Sequence, residues 1–540
     1  MSKWWQERVV YQIYPRSFQD SNGDGIGDIT GIISRLDILK DLGIGIIWLS
    51  PVYPSPNVDN GYDISDYKNI HSEYGTMEDM ECLLEEASKR DIKIVMDLVI
   101  NHTSDEHEWF EKSRRGIEPY NDYYIWKPSK QSKLPNNWTS FFAEPCWTYD
   151  DIRKEYYLHL FAKKQPDLNY HNPKILKEVK DIMRFWLDKG VAGFRCDVIN
   201  IIYKSSLENG KKKLILTGSE HYLSQEGNHK ILQELRRDVL ADYDCFTVGE
   251  TVFVTPEIGK KLCDKDRKEL DMIFSFEHME VDQWLVKFFQ RKFDVKKFSS
   301  SIAKWQDALE WCANYLENHD QRRIVSRFAD ELYREESGKL FAVLLLSLKG
   351  TPYIYQGQEI GMTNFDYTSI EDVRDIESIN VDAFLKKYHI PKALRWKMIR
   401  KTSRDNCRTP MQWSSKKNGE FSTGIPWLAV NKNYTHINVN AQLEDPKSIR
   451  SFYKEMIALR AKQVVLKYGD FKAVEMTKNL FVYKRTYNRI SFTIVLNMSK
   501  KTLKTEYSGN VLISTRYKNQ FDGLLEPYEA IILEGEADDQ

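Results

Sequence analysis

Ile92-Lys-Ile-Val-Met-Asp97-Leu-Val-Ile-Asn101-His102 is an apolar run that ends in polar residues, and the helix-like amphipathic segment Met77–Arg90 precedes it. The pairing of such a run with such a segment recurs along the chain. Strand-like runs are Val9–Pro15, Ile44–Pro51, Ile92–Ile100, Val191–Val198, Cys245–Glu250, Met272–Glu277, Ala313–Glu317 and Pro352–Gln356. Helical patterns lie between most of them, at Ile32–Leu42, Met77–Arg90, Lys174–Lys189, His229–Ala241, Ser299–Leu309 and Gly338–Leu348. Strands alternating with helices in this way predict an α/β fold, a (β/α)8 TIM barrel.

One spacing breaks the alternation. Roughly ninety residues separate the third and fourth strand candidates, far more than one crossover helix needs. The stretch His102–Tyr170, rich in Trp, Tyr, Asn and Pro, reads as a small domain inserted on the third βα loop. After the eighth strand come a loop-rich segment, Met362–Asn431, and a helix, Ser448–Lys462. Leu480–Tyr487, Ile490–Met498, Val511–Tyr517 and Tyr528–Glu534 then predict a C-terminal antiparallel β-sandwich. Glu534–Gln540 reads as a solvated acidic tail. The predicted domains are a barrel over 1–102 and 171–462, an inserted domain over 103–170 and a β domain over 463–540.

Composition excludes several classes. Over 540 residues, 78 Lys+Arg against 79 Asp+Glu leave a net charge of −1, so no global basic field attracts nucleic acid or anionic lipid. The longest apolar stretch, Leu340–Leu346, falls far short of the ~18–20 residues that span a bilayer. The start, MSKWWQERVVYQIYP, lacks the apolar core and cleavage site of a secretory signal. Seven widely spaced cysteines with no C-x-x-C pair argue against a disulfide framework or zinc knuckle. The expectation is a cytoplasmic, monomeric protein without nucleic-acid or membrane partners.

In such barrels the active site forms where the strands end. Strand three ends at Asn101-His102, strand four in Arg195-Cys-Asp197-Val198, strand five at Glu250 and strand seven in Asn318-His319-Asp320. Strand periodicity points Arg195 and Asp197 inward and Cys196 outward. An inward arginine favours an ionised Asp197, as a nucleophile requires. Glu250, crowded by Asp197 and Asp320, is expected to have a raised pKa and to act as general acid. Two carboxyls with divided roles are what glycoside hydrolysis needs.

These segments resemble a known family. DLVINH, GFRCDVIN, VGET and ENHD are similar to the four signature segments of the alpha-amylase superfamily of retaining α-glycosidases. The likeness extends to QPDLNY (165–170), WWQERVVYQIYPRSF (4–18) and RTPMQW (408–413). It is nearest to the oligo-1,6-glucosidase, dextran-glucosidase and α-glucosidase branch. The resemblance implies Asp197 as nucleophile, Glu250 as acid/base and Asp320 as transition-state stabiliser. It implies a first glucose subsite lined by His102, His319, Arg195, Asp59, Tyr62 and Arg408. Tyr62 would stack on the sugar, and an Asp59–Arg408 pair would close the pocket, so that one glucose is cut from a non-reducing end. No organic cofactor is implied, and the partners are small α-glucoside oligosaccharides.

Asp20-Ser-Asn22-Gly-Asp24-Gly-Ile26-Gly-Asp28 sets oxygen ligands at alternating positions, like the first half of an EF-hand loop. Position twelve is Gly31 rather than a bidentate Glu, and an Asx-rich turn explains the same residues. The resemblance implies a structural Ca2+ site, with Mg2+ as alternative, built from Asp20, Asn22, Asp24, the Ile26 carbonyl and Asp28. Linkage preference rests on Val198, since Val at this position accompanies α-1,6 preference in the branch. Competing readings are a sucrose, α-1,4 or trehalose-6-phosphate hydrolase or a glucosyl transferase on the same fold. Arg322 and Arg323 keep phosphate recognition open, whereas EHMEVDQW after Phe276 lacks the charged isomerase motif.

Overall fold

The computed structural model describes residues 3–128, 130, 133–142, 144–284 and 286–537, Val286 by its backbone alone. All eight predicted barrel strands are present: β1 (Val10–Ile13), β2 (Ile46–Leu49), β3 (Lys93–Leu98), β4 (Gly193–Cys196), β5 (Phe246–Glu250), β6 (Met272–Phe274), β7 (Ala313–Tyr315) and β8 (Thr351–Tyr355). Their order is β7-β8-β1-β2-β3-β4-β5-β6, and every neighbouring pair is parallel. The seam between β6 and β7 is bridged by side chains. The Tyr315 hydroxyl donates to the Ser275 carbonyl (3.2 Å), and His278 Nε2 lies 2.9 Å from the Tyr315 carbonyl.

The strands are shorter than their apolar runs. The β3–β4 ladder ends where Leu98 pairs with Cys196, and the chain then turns at Val198, which is left-handed at φ +34°. The polar residues that follow each run are thereby released from the sheet at its C-terminal edge.

Helices begin where side chains satisfy their first amides. The Thr76 hydroxyl accepts from the Asp79 amide, and Asp79 accepts in return from the Thr76 amide, so α3 (Met77–Lys89) starts at Met77. The predicted helix Ile32–Leu42 is instead two short ones, α1 (Ile29–Ser34) and α2 (Leu36–Leu42), broken at Arg35. A later helix, α4 (Arg334–Ser347), is buried around its whole circumference along Leu340–Leu346. Its position between the barrel and the C-terminal sheet explains an apolar run without a polar face. Ser347 and Tyr483 hydroxyls meet at 2.6 Å, and Arg485 donates to the Ser347 carbonyl.

Two expectations need correction. The segment Met362–Asn431 is not merely loop, because it contains α5 (Ile376–Lys387) and α6 (Lys392–Thr402). Neither buries an apolar stripe, since α5 buries only Ser378 and α6 only Ile399 and Thr402. Periodicity therefore gave no signal for them. The acidic end is likewise not all tail: Glu534–Glu536 belongs to the last strand, and 538–540 lie outside the described residues.

The inserted segment forms a three-stranded antiparallel sheet, Trp126–Lys127, Trp147–Asp150 and Glu155–Leu158, with the last in the centre. Its cluster of Trp138, Cys146, Trp147, Leu158 and Leu160 also takes in Val198 and Ile201 from the barrel. At the C-terminus β9 (Asp470–Met476), β10 (Leu480–Tyr487), β11 (Ile490–Asn497), β12 (Asn510–Ser514) and β13 (Ala530–Glu536) make one antiparallel sheet in the order β9-β10-β11-β13-β12. A two-stranded piece, Leu503–Lys504 with Leu524–Leu525, supplies the second layer.

Candidate active site

Arg195 organises the centre. Its Nη1 lies 2.6 Å from Asp97 Oδ1 and 2.5 Å from Asp197 Oδ1, and its Nη2 lies 2.8 Å from Glu250 Oε2. One buried guanidinium thus holds carboxylates from β3, the β4 turn and β5. The other Asp97 oxygen accepts from the Trp48 indole (2.9 Å) and the Tyr62 hydroxyl (3.2 Å). The Val198 amide donates to Glu250 Oε2 at 3.1 Å, a bond made possible by the left-handed turn. A β-branched residue in that region is strained, and strain of this kind persists only where the surroundings enforce it.

Asp320 is held from three sides: Arg408 Nη2 at 2.7 Å, Arg404 Nη1 at 3.4 Å and His319 Nε2 at 3.3 Å. The His319 ring is parallel to that of Tyr62, with centroids 5.2 Å apart. His102 Nε2 lies 3.0 Å from the Tyr62 carbonyl and 3.1 Å from Gln165 Nε2, which also reaches Asp59. One face of Tyr62 is therefore already occupied by His319 rather than free for a sugar.

The expected Asp59–Arg408 pair does not form. Arg404 Nη2 pairs with Asp59 Oδ1 at 3.2 Å, while Arg408 spends its guanidinium on Asp320 and, through Nε, on the His319 carbonyl at 2.9 Å. Arg404 and Arg408 are one helical turn apart, so both reach the same carboxylate and the two roles are divided between them. Arg404 also grips Asp375 at 2.7 Å. That i, i+4 spacing was the signal available for finding Arg404 in the sequence.

The pocket is a cavity of about 260 Å3 that contains Asp197, Glu250, Asp320, Tyr62, His102, His319 and Val198, with Asp59 and Arg404 also on its wall. Sequence reading missed most of its apolar lining: Phe141, Phe142, Phe161, Phe253 and Phe276. These come from the inserted domain and from loops after β5 and β6, far apart in sequence.

Burial governs the proton affinities. Burial raises Glu250 to about 8, Arg195 opposes this, and Asp197 and Asp320 add to it. Burial likewise raises Asp197 to about 6 against Arg195, with Asp97 adding to the rise. At Asp197 desolvation outweighs the arginine, which opposes the rise without cancelling it. Asp320 goes the other way. Burial pushes it up, but His319, Arg404 and Arg408 hold it well below the usual range. Burial holds His319 itself down to about 3, so at neutral pH the two arginines are the charges that act. Asp197 and Glu250 are brought together by the two terminal nitrogens of the same guanidinium.

Arg322 and Arg323 are turned away from this pocket. Arg322 pairs with Asp282 at 2.8 Å and Arg323 with Glu317 at 3.0 Å. The sole arginine or lysine on the described wall is Arg404, already shared among carboxylates.

The loop Asp20–Asp28 lies apart from the pocket and docks the segment after residue 420. Asp20 accepts from the Asn22, Gly23 and Gly25 amides and from the Ser422 hydroxyl. Gly25 is required here, because a Cβ would fall 1.9 Å from the Ile425 carbonyl oxygen. Asn22 and Asp24 each accept one amide, and Asp28 accepts from Ser21 and Gly31. The donors fit a hard cation by chemistry, being acceptor oxygens within one turn. Among the described residues no group of three or more His, Cys, Asp or Glu side chains is gathered closely enough to hold a metal, this loop included.

All seven cysteines are unpaired, and among the described residues no helix is long and apolar enough to cross a membrane.

The family model for alpha amylase, catalytic domain, matches residues 12–469. An oligo-1,6-glucosidase of Parageobacillus thermoglucosidasius is 50% identical over 532 residues, covering 95% of this chain and 93% of that protein. A glucan 1,6-alpha-glucosidase of Streptococcus pneumoniae is 45% identical over 518 residues, 94% of each chain. Among solved structures, an isomaltulose synthase from Klebsiella sp. LX3 superposes with a TM-score of 0.96 at 38% identity, covering 99% of both chains.

Proposed function

Because the chain belongs to the alpha-amylase family of glycoside hydrolases, we propose that it is a retaining, exo-acting α-glucosidase that releases glucose from short α-glucosides and prefers α-1,6 links. The observation that carries this reading is the placement of Asp197 and Glu250 on the two terminal nitrogens of one guanidinium, beside a pocket with Asp59 and Arg404 on its wall. An inverting pair needs ~6.5–9.5 Å between its carboxyls to admit a water, whereas a retaining pair sits at ~5–5.5 Å.

The geometry divides the work. At neutral pH Glu250, raised to about 8, carries a proton and faces the leaving oxygen, while Asp197, at about 6, is largely ionised and attacks the anomeric carbon. The glycosidic C–O bond breaks as the Asp197 ester forms, and the Glu250 proton moves to the departing sugar. Glu250 then takes a proton from water, whose oxygen displaces Asp197 and restores the α configuration. Asp320, kept ionised by Arg404 and Arg408, binds sugar hydroxyls more strongly as positive charge develops on the ring.

Preference for α-1,6 links is supported by the relatives named above and by Val198, whose side chain borders the scissile bond. An α-1,6 link carries an extra methylene and rotatable bond, so its aglycone swings clear of that obstacle. Trehalose 6-phosphate is disfavoured, since Arg322 and Arg323 are committed to Asp282 and Glu317. Ca2+, or Mg2+ in its place, is proposed for the Asp20–Asp28 loop on the strength of its hard-oxygen donors, in a structural role only. A monomer in the cytoplasm is the companion proposal, supported by seven unpaired cysteines. Incubation with isomaltose, maltose, sucrose and trehalose 6-phosphate, with NMR of the first anomer released, tests the activity. α-Glucose from isomaltose is expected, and β-glucose refutes retention.

A further inference from the structure

Phe253 lies on the pocket wall, and the chemistry above gives it no role. β5 ends at Glu250, and the next two residues are fastened. The Thr251 hydroxyl donates to the Phe274 carbonyl at 2.9 Å. Asn200 grips Val252 from both sides, accepting from its amide at 3.0 Å and donating to its carbonyl at 2.9 Å. On this fixed base the chain turns at Phe253, whose φ is +51°. A bulky L-residue is disfavoured there, where glycine or asparagine fits at little cost.

The turn leaves the ring 54% exposed on the wall of the cavity that holds Asp197 and Glu250. Its neighbours behave differently: Phe141 and Phe161 stack on each other with centroids 4.8 Å apart. Phe253 makes no ring–ring contact among the described residues. Strain and exposure thus coincide in one side chain three positions beyond the acid. An outlier of this kind at a site points toward function.

The first glucose occupies the pocket beside Asp59 and Arg404, so the leaving sugar lies outward of Glu250, toward the rim. A pyranose presents an apolar C–H face, the surface an exposed aromatic ring matches. Resting on the α-glucosidase reading, we infer that Phe253 is a specificity-determining residue whose ring is the platform on which the leaving sugar packs.

The test compares kcat/KM on isomaltose with kcat/KM on α-glucosyl fluoride, whose leaving group is a single atom. Phe253→Gly and Phe253→Asn both accept the left-handed backbone and remove the ring, and Phe253→Tyr keeps it. The isomaltose-to-fluoride ratio is expected to fall about tenfold, ~1.4 kcal/mol, in the first two variants and to stay within about twofold of wild type in the third. An unchanged ratio in both ring-less variants, including an equal loss on both substrates, overturns the inference. So does a tyrosine variant that behaves like glycine. If the wild type ignores isomaltose and cleaves maltose, the linkage reading fails, and the same ratio taken with maltose still decides the platform.

Discussion

Opposite protonation states of two carboxyls in one pocket make a sharp claim about pH. The reaction needs Asp197 ionised and Glu250 protonated. With Asp197 at about 6 and Glu250 at about 8, the active form dominates between those values and peaks midway. One unit beyond either limb it falls to about a tenth. The two groups share Arg195, so the limbs belong to the pair rather than to either residue alone. The assay is kcat/KM for isomaltose from pH 4.5 to 9.5 at constant ionic strength, with enzyme stability checked at each end. A bell with limbs near 6 and 8 is expected. The discriminating perturbation is a substrate such as α-glucosyl fluoride, whose departure needs no proton. Its alkaline limb should flatten while the acidic limb stays, because only the glycosylation of Asp197 is then reported. A profile flat from pH 5 to 9 with isomaltose, or an alkaline limb that persists equally with the fluoride, would refute the assignment of acid and nucleophile.

Glu250→Gln should make the fold more stable as it removes turnover. A carboxyl raised from 4.5 to about 8 binds more protons folded than unfolded, so wild-type stability is lost as pH rises through that window. The variant's advantage is expected to grow from zero below about pH 4.5 to ~1–3 kcal/mol at pH 7, read by urea denaturation; an advantage independent of pH would count against it. Arg404→Lys keeps the charge but not the fork that spans Asp59, Asp320 and Asp375, and should lower kcat/KM by about a hundredfold; near wild-type kinetics would show that the pocket does not depend on this arginine. Chelation with EDTA should lower the melting temperature by a few degrees if the Asp20–Asp28 loop takes a cation, and an unchanged melting curve would retire that site. Val198→Thr should shift the isomaltose-to-maltose ratio of kcat/KM toward maltose by about tenfold, an outcome sunk by equal loss on both.

The barrel was legible because its strands are buried on both faces and so appear as bounded apolar runs, each ending in the polar residues that reach the pocket. Asp197, Glu250, Asp320, His102 and His319 stand at such ends, and the structure brings them together. What could not be read has a physical reason in each case. Helices α5 and α6 lack a buried stripe. Arg404 and Arg408 are chemically equivalent in sequence, and only the path of the Asp405–Arg408 turn decides which one meets Asp59. The raised proton affinity of Asp197 depends on how completely the pocket excludes water, a quantity no neighbour in sequence reports. Phe141, Phe161 and Phe253 become one wall only after the inserted domain has docked.

That docking bears on specificity through a single residue. Val198 follows the nucleophile, takes a left-handed turn, and gives its amide to Glu250. Its side chain, buried but for 6%, belongs to the inserted domain's cluster with Trp138, Tyr222 and Leu160. The same residue borders the pocket. The strain of that turn must be offset somewhere, and the packing against the inserted domain is the contact available to offset it. The position is therefore constrained twice, by the Glu250 carboxyl through the backbone amide and by the inserted domain through the side chain. A change there that alters linkage preference will also move the fit of the inserted domain. Substitutions preserving volume should then separate the two effects better than truncation: Val198→Thr keeps the branch and tests the pocket, whereas Val198→Gly relieves the turn, empties the cluster and confounds both.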